Sequence, residues 1–319
     1  MIEEPSNFSP YADISWEKID KVKFHTYGAC LFTLLSSALY PISVVKTRVQ
    51  VRRQNAADAN SLKVVKNILT DDGVKGLYRG FTTTAIGAIP GRAMFLATLE
   101  ISKESTTKLL SEVNLPEATK TTVANGVAGL VSSLMAELYY VPLDVVTQRL
   151  MVQGLPGVTK YDGGVHAFRK ILHTDGVRGL YRGFGMSVIT YCPSATVWWG
   201  AYGASQHTIW KSMGYIDGQH PGEMLVVSAQ AAGGVVAGAA SSVITAPSDT
   251  IKTRLQVMEN KEGHKPTIIG TAKQLINEDG WRGFYRGLGP RFLNMSLWGT
   301  SMIVTYEYLK RLSVKPLQQ

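Results

Sequence analysis

Pro41-Ile-Ser43-Val-Val-Lys46-Thr-Arg48, Pro142-Leu-Asp144-Val-Val-Thr147-Gln-Arg149 and Pro247-Ser-Asp249-Thr-Ile-Lys252-Thr-Arg254 are three versions of one sequence. Each closes an apolar stretch. Each is followed some thirty residues later by a second signature: Asp72-Gly73…Tyr78-Arg79-Gly80, Asp175-Gly176…Tyr181-Arg182-Gly183 and Asp279-Gly280…Tyr285-Arg286-Gly287. The prolines are 101 and 105 residues apart, and the Asp-Gly pairs 103 and 104. Two independent signatures keep one register, so the chain is read as three homologous units. The boundaries that follow are a tail at 1–22, repeats at 23–115, 116–220 and 221–312, and a tail at 313–319.

Charged residues make up 18% of the 319 residues, below the roughly 25% of soluble domains. Mean hydropathy is nevertheless only +0.02. The placement of the charges reconciles the two values. Segments 183–210 and 225–247 contain no Asp, Glu, Lys or Arg, and 24–45 has only His25. A membrane span needs about 20 mostly apolar residues. Three further candidates, in 80–108, 121–152 and 292–310, carry charges such as Arg92, Glu100, Lys103, Glu137 and Asp144. Charges inside spans face a bundle interior or a partner, so the pattern predicts an all-α membrane protein around a water-filled cavity. A soluble helical bundle is the alternative, and it would require unusually long charge-free helices.

The net charge of +9 raises the question of nucleic acid. The basic residues fall beside the repeated signatures rather than along one stripe, and no nucleic-acid motif is present. Attraction to anionic lipid is the simpler account. Cys30 and Cys192 have neither metal-site nor disulfide spacing. No phosphate loop, zinc-protease helix or catalytic triad is found, so no enzyme activity, cofactor or metal is expected. Residues 1–20 are acidic, unlike a transit peptide, and targeting is expected to be internal.

Asp144 and Thr147 are three residues apart, as are Asp249 and Lys252, which puts each pair on one helix face. The proline just upstream removes a backbone donor. Solvated charges at helix ends would explain one copy, but three copies in register point to charged ends brought together.

These motifs resemble those of the mitochondrial carrier family, over residues 23 to 311. The lead-in Trp16-Glu17-Lys18-Ile19-Asp20-Lys21-Val22-Lys23-Phe24 is similar to the branch that contains the branched-chain amino-acid carrier. The resemblance implies six tilted transmembrane helices with threefold pseudosymmetry, near 24–53, 80–108, 120–153, 183–212, 225–258 and 287–311. Three short matrix-side helices are expected near 61–70, 162–173 and 267–277. It implies a monomeric multi-pass protein of the mitochondrial inner membrane, with both termini toward the intermembrane space.

The resemblance also implies two gates. On the matrix side, Asp144 pairs with Lys252 and Asp249 with Lys46. Ser43 and Thr147 replace the acid and the base of the third pair, and both departures fall on one bridge. Losing both partners of a buried pair is near neutral, whereas losing one costs about 3–5 kcal/mol. A hydroxyl contact is expected there instead. Gln50 and Gln256 are implied braces, and Met151 stands in the second copy. The cytosolic gate is implied at Glu100, Lys103, Gln206, Glu307 and Lys310, with Glu100–Lys310 as an ion pair and Gln206–Glu307 as a hydrogen bond. This gate is expected to be the weaker, leaving the resting protein open to the cytosol.

Solute contacts are implied at Gly87, Thr190 with Tyr191, and Asn294, none of them charged. That pattern fits a small zwitterionic solute better than a nucleotide or a tricarboxylate. Glu137 breaks the repeat, because its equivalents are Ser36 and Ser242. It could receive an ammonium group or a coupled proton, or serve as a structural partner for Arg92 or Arg291. Arg92 could in turn receive a solute carboxylate. Cardiolipin is implied at Arg79–Gly80, Arg182–Gly183 and Arg286–Gly287, although positive-inside anchoring would select the same arginines. The expected function is alternating-access transport of a small amino acid, such as a branched-chain one. Another small carboxylate, a cofactor, a metal ion or a non-transporting scaffold are the alternatives.

Overall fold

A computed structural model describes residues 19–51, 61–111, 116–155, 158–214, 223–258 and 266–314. The acidic N-terminal stretch before residue 19, the links at 112–115 and 215–222, and the end of the C-terminal tail lie outside the described residues. What is described is helical. The helices are α1 Lys21–Val51, α2 Ser61–Asp71, α3 Gly73–Gly76, α4 Phe81–Ser111, α5 Glu117–Met151, α6 Gly164–Leu180, α7 Phe184–Ser212, α8 Glu223–Val257, α9 Ile268–Asp279 and α10 Leu288–Leu312, with a 3-10 turn at Gly280–Tyr285.

The repeat seen in the sequence recurs in the backbone. Each unit contains a long helix with an internal proline (Pro41, Pro142, Pro247), a short amphipathic helix and a second long helix. The short helices bury matching pairs four residues apart: Val64 and Ile68, Ala167 and Ile171, Thr271 and Leu275. Each then breaks at the glycine of Asp-Gly, where φ is +65° at Gly73, +67° at Gly176 and +62° at Gly280. An L side chain is strained in that region, which explains why the motif needs glycine there. In α6 helical turns resume directly after the break, so that helix extends to Leu180, past the 162–173 expected from the sequence.

α1, α5 from Thr119 and α8 from Leu225 have the length and apolar composition to cross a membrane. α4, α7 and α10 have 31, 29 and 25 residues. At about 1.5 Å per residue each exceeds the ~30 Å hydrocarbon thickness. Large apolar side chains stand exposed along these helices, Ile89 and Leu109 at 75% and 76% among them. A surface of that kind suits lipid rather than water.

The chain forms two compact units, neither of which coincides with a repeat. One comprises Met1–Lys46, Cys192–Ala246 and Gly287–Gln319. Its helices approach closely at small residues: a Cβ on Gly234 would meet Thr300, one on Gly238 would meet Ser296, and one on Gly299 would meet the Trp198 ring. Glycines spaced four apart let helix backbones come together. Ile19 bridges Val314 in antiparallel fashion, and Asp20 N donates to Ser313 O at 2.7 Å.

The other unit comprises Thr47–Tyr191 and Pro247–Arg286. Its apolar core gathers Val141, Val145, Val146, Leu150, Tyr161, Ala167, Ile171 and Leu180 around α5 and α6. Burying each large aliphatic side chain contributes about 1.5–3 kcal/mol. α4 lies along α5, with Leu143 filling the space at Gly87 and Tyr140 the space at Gly91. Pro142 has no N–H to offer the Leu138 carbonyl four residues earlier. The Tyr181 hydroxyl donates to that carbonyl at 3.0 Å, so the aromatic of Tyr-Arg-Gly repairs the defect made by the proline.

A charge clamp occurs three times in this unit. Arg48, Arg149 and Arg254 each reach a carboxylate of their own repeat, at Asp72 (3.0 Å), Asp175 (2.8 Å) and Glu278 (2.7 Å). The arginine of Arg-Gly also meets the carboxylate of Asp-Gly: Arg79 on Asp72 (2.5 Å), Arg182 on Asp175 (3.4 Å) and Arg286 on Asp279. The inner arginines also donate to the backbone of another repeat, Arg48 to Met151 O and Gln153 O, Arg149 to Gln256 O and Met258 O, and Arg254 to Gln50 O. The three clamps thereby tie repeat one to two, two to three and three to one.

Asp175 is 1% exposed and Arg149 4%. Replacing Asp175 with Asn strands two buried guanidinium groups and should cost about 3–5 kcal/mol. The expected result is a thermal unfolding transition several degrees lower in detergent. Asp162→Asn, at a side chain 93% exposed, should leave the transition where it is.

Candidate functional site

Along α1, α5 and α8, just before the clamp arginines in sequence, lie the residues that the repeat singles out. α5 and α8 present the middle copy's acid and the third copy's base to each other. Lys252 Nζ donates to Asp144 Oδ2 at 3.0 Å, with side-chain exposures of 17% and 40%. The ammonium also lies in the field of Glu137 and Asp249. Asp249 is buried and accepts a 2.8 Å bond from Gln50 Nε2. Gln256 occupies the matching place in the third copy and is wholly buried, yet neither of its amide atoms has a hydrogen-bond partner among the described residues. Lys46 is half-buried on α1.

The two residues that break the charge pattern each have a partner on a different helix. Thr147 and Thr84 of α4 share a hydroxyl contact of 3.3 Å. Ser43 Oγ accepts from Asn294 Nδ2 of α10 at 2.7 Å. Sequence reasoning placed Asn294 among the solute contacts and Ser43 in a gate. The structure joins them directly.

The remaining candidate solute contacts differ in environment. Gly87 faces Leu143, so its missing side chain is a packing requirement between α4 and α5. The Gly87-x-x-x-Gly91 spacing is the sequence signal for that close approach. Thr190 is buried and its Oγ1 has no partner among the described residues, whereas Tyr191 one residue on is exposed. Arg92 is exposed on α4. Arg291 is buried and donates to Thr245 Oγ1 at 2.5 Å. Glu137 is half-buried on α5, two turns before Asp144. Its Oε2 is shut off from solvent and no hydrogen bond or ion pair reaches the carboxylate from the described residues. A buried carboxylate oxygen without a hydrogen bond is costly, and the group lies in the field of Lys252.

At the other end of the long helices, Lys310 Nζ sits 4.8 Å from the centre of the Tyr306 ring, a cation–π contact between residues one turn apart. Gln206 Nε2 donates to Ala229 O at 2.8 Å, in the space left by Gly233. Glu100 and Lys103 are exposed on α4, and the Glu307 side chain lies outside the described residues. The outer arginines Arg79, Arg182 and Arg286 are held by the clamp carboxylates, and Arg79 and Arg182 also donate to Gln153 O and Met258 O. Their glycines Gly80, Gly183 and Gly287 have φ of +85°, +82° and +74°, which sets the turn into each second long helix. A cavity of about 240 Å³ opens beside Arg79 and Gly80, bounded by Thr82, Thr83, Gly163 and Gly164. The first turns of α4 and α6 both meet it.

Comparison with known proteins accounts for the repeat. The profile of the family described as Mitochondrial carrier protein matches three times, over residues 23–109, 118–213 and 224–317. Solute carrier family 25 member 44 of Homo sapiens is 34% identical over 318 residues, covering 95% of each chain. Mitochondrial substrate carrier family protein J of Dictyostelium discoideum is 29% identical over 331 residues, covering 95% and 94%. Nicotinamide adenine dinucleotide transporter 2, mitochondrial, of Arabidopsis thaliana is 27% identical over 298 residues, covering 89% and 77%. Three in-register matches spanning nearly the whole chain leave one conclusion: it belongs to the mitochondrial carrier family and is a transporter of the mitochondrial inner membrane, not an enzyme.

Proposed function

We propose that this carrier moves a small amino acid, with branched-chain amino acids the first candidates, by alternating access. The observation that carries the reading is Glu137. It is a carboxylate where the other repeats have serine, with one oxygen sealed and unpartnered. The solute's ammonium group supplies hydrogen-bond donors to that oxygen. Arg92, exposed on α4, offers a cation to a carboxylate. Thr190, Tyr191 and Asn294 add no charge, which suits a zwitterion with an apolar side chain. A dinucleotide, the cargo named for the Arabidopsis relative, would bring phosphates to a set of neutral contacts. Other small carboxylates remain the second reading, favoured by the same neutral contacts if Glu137 carries a proton.

On this reading α1, α4, α5, α7, α8 and α10 are six spans, so both termini face one side, the intermembrane space. α2, α6 and α9 lie on the matrix side, and the carrier works as a monomer. The pair Asp144–Lys252, the braced Asp249 with Lys46, and the hydroxyls Ser43 and Thr147 form the matrix gate. Glu100, Lys103, Gln206, Glu307 and Lys310 form the cytosolic one. The cavity at Arg79 and Gly80 receives an anionic lipid headgroup, cardiolipin, at two helix N-termini whose free amides favour anions. Arg182–Gly183 and Arg286–Gly287 do the same in the other repeats.

Uptake of radiolabelled leucine, isoleucine and valine into cardiolipin-containing liposomes preloaded with leucine tests the cargo. Saturable uptake is expected, reduced at least tenfold in Glu137→Gln, as for a lost partner of a buried charge. Wild-type uptake by that variant would remove Glu137 from the site. No uptake by folded wild-type protein would remove branched-chain amino acids as cargo. The gate pair is tested by thermal unfolding of Asp144→Asn, Lys252→Gln and the double variant. The double should lose less than the sum of the singles, by about 0.5–3 kcal/mol, and additive losses would dissolve the pair.

A further inference from the structure

We propose that the Asn294–Ser43 hydrogen bond is a latch opened by the solute's carboxylate, so that Ser43 sets the affinity of the transport site. The inference rests on the reading above in taking Asn294 as a solute contact and the cargo as a carboxylate. What it adds is a role for Ser43, and a reason for the loss of an acid at that position.

The geometry is specific to this chain. Ser43 stands two residues after Pro41, where the other copies have Asp144 and Asp249. Asn294 stands seven residues after Gly287, in register with Gly87 and Thr190. Of those three positions, Gly87 has no side chain to offer and its space is taken by Leu143. Thr190 Oγ1 has no partner among the described residues. Asn294 alone of the three makes a described bond to a helix of another repeat, at 2.7 Å. One side chain therefore occupies the solute register while holding a gate position.

The chemistry gives the bond a direction. A neutral amide–hydroxyl hydrogen bond holds Asn294 Nδ2 on Ser43 Oγ. A carboxylate oxygen accepts the same N–H more strongly, about twofold, because the acceptor is charged. A ligand shifts a two-state equilibrium only by its differential affinity for the states. Exchanging Ser43 for a carboxylate supplies such a difference, which a solute without a carboxylate would lack. An aspartate at 43 would hold the amide as strongly as the solute does and would repel its charge. The hydroxyl keeps the amide aimed yet surrenders it.

Leucine transport by Ser43→Ala and Ser43→Asp tests the latch. Removing the competing acceptor in Ser43→Ala should lower the apparent KM about two- to tenfold, the span of one neutral hydrogen bond. Ser43→Asp should raise it at least tenfold. Loss of a purely structural serine would not move the two variants in opposite directions, and an unchanged or raised KM in Ser43→Ala overturns the proposal. Thermal unfolding of the solute-free protein with Ser43→Ala, Asn294→Ala and both gives a reading independent of cargo. The double variant should resemble the more damaging single. Additive losses overturn the latch even if leucine is carried. Non-additive losses with no uptake of any branched-chain amino acid would show the cargo reading to be wrong and the bond to be real, and the KM comparison would then be made with the carboxylate that is carried.

Discussion

One carboxylate held between two arginines organises each third of this carrier. Asp72, Asp175 and Asp279 sit where a short helix breaks, and each is gripped by the arginine that opens the next long helix. On the first two, and with Glu278 taking most of the load on the third, a second arginine arrives from the preceding long helix. Such a group could not be buried alone. Held by arginines that themselves donate to backbone carbonyls, it fixes where the long helices end. The positions of Lys252, Asp144, Gln50 and Asp249 along those helices follow from that anchoring.

The gate residues show how a charged pattern tolerates loss. Where the acid and base are both present, α5 and α8 are joined by an ion pair. Where both are absent, each remaining hydroxyl is met by a polar side chain from one of the second long helices, Thr84 for Thr147 and Asn294 for Ser43. Paired removal leaves no stranded charge, which is why the two departures occur together. Glu137 is the opposite case, a charge gained with no hydrogen-bond partner for its buried oxygen among the described residues.

Much of this was legible in the sequence because repetition multiplies weak signals. A single proline-and-charge cluster says little, while three in register established three homologous units, and the family they resemble implied the helix positions and the pairing of Asp144 with Lys252. The clamp was harder to read. Arg48, Arg149 and Arg254 appeared only as the ends of charge clusters, and their partners lie 24 to 26 residues away. Arg79, Arg182 and Arg286 were expected beside lipid, and sequence did not show that a carboxylate seven residues earlier also engages each of them. Gly87 was read as a contact in a cavity, yet Leu143 fills its space. A glycine has no side chain to reveal its use, and only the neighbouring helix distinguishes an open site from a close crossing.

The reach of Arg254 has a consequence for how the chain is made. Its guanidinium donates to Gln50 O across 204 residues of sequence, and the carbonyls that Arg149 meets belong to Gln256 and Met258. A nascent chain carrying only two repeats therefore has one of its three joints complete. The first long helix ends in a carbonyl whose donor has not yet been synthesised. Closing so long a loop is entropically slow. Repeats that look like independent modules in the sequence are thus completed together, by the last third of the protein to emerge.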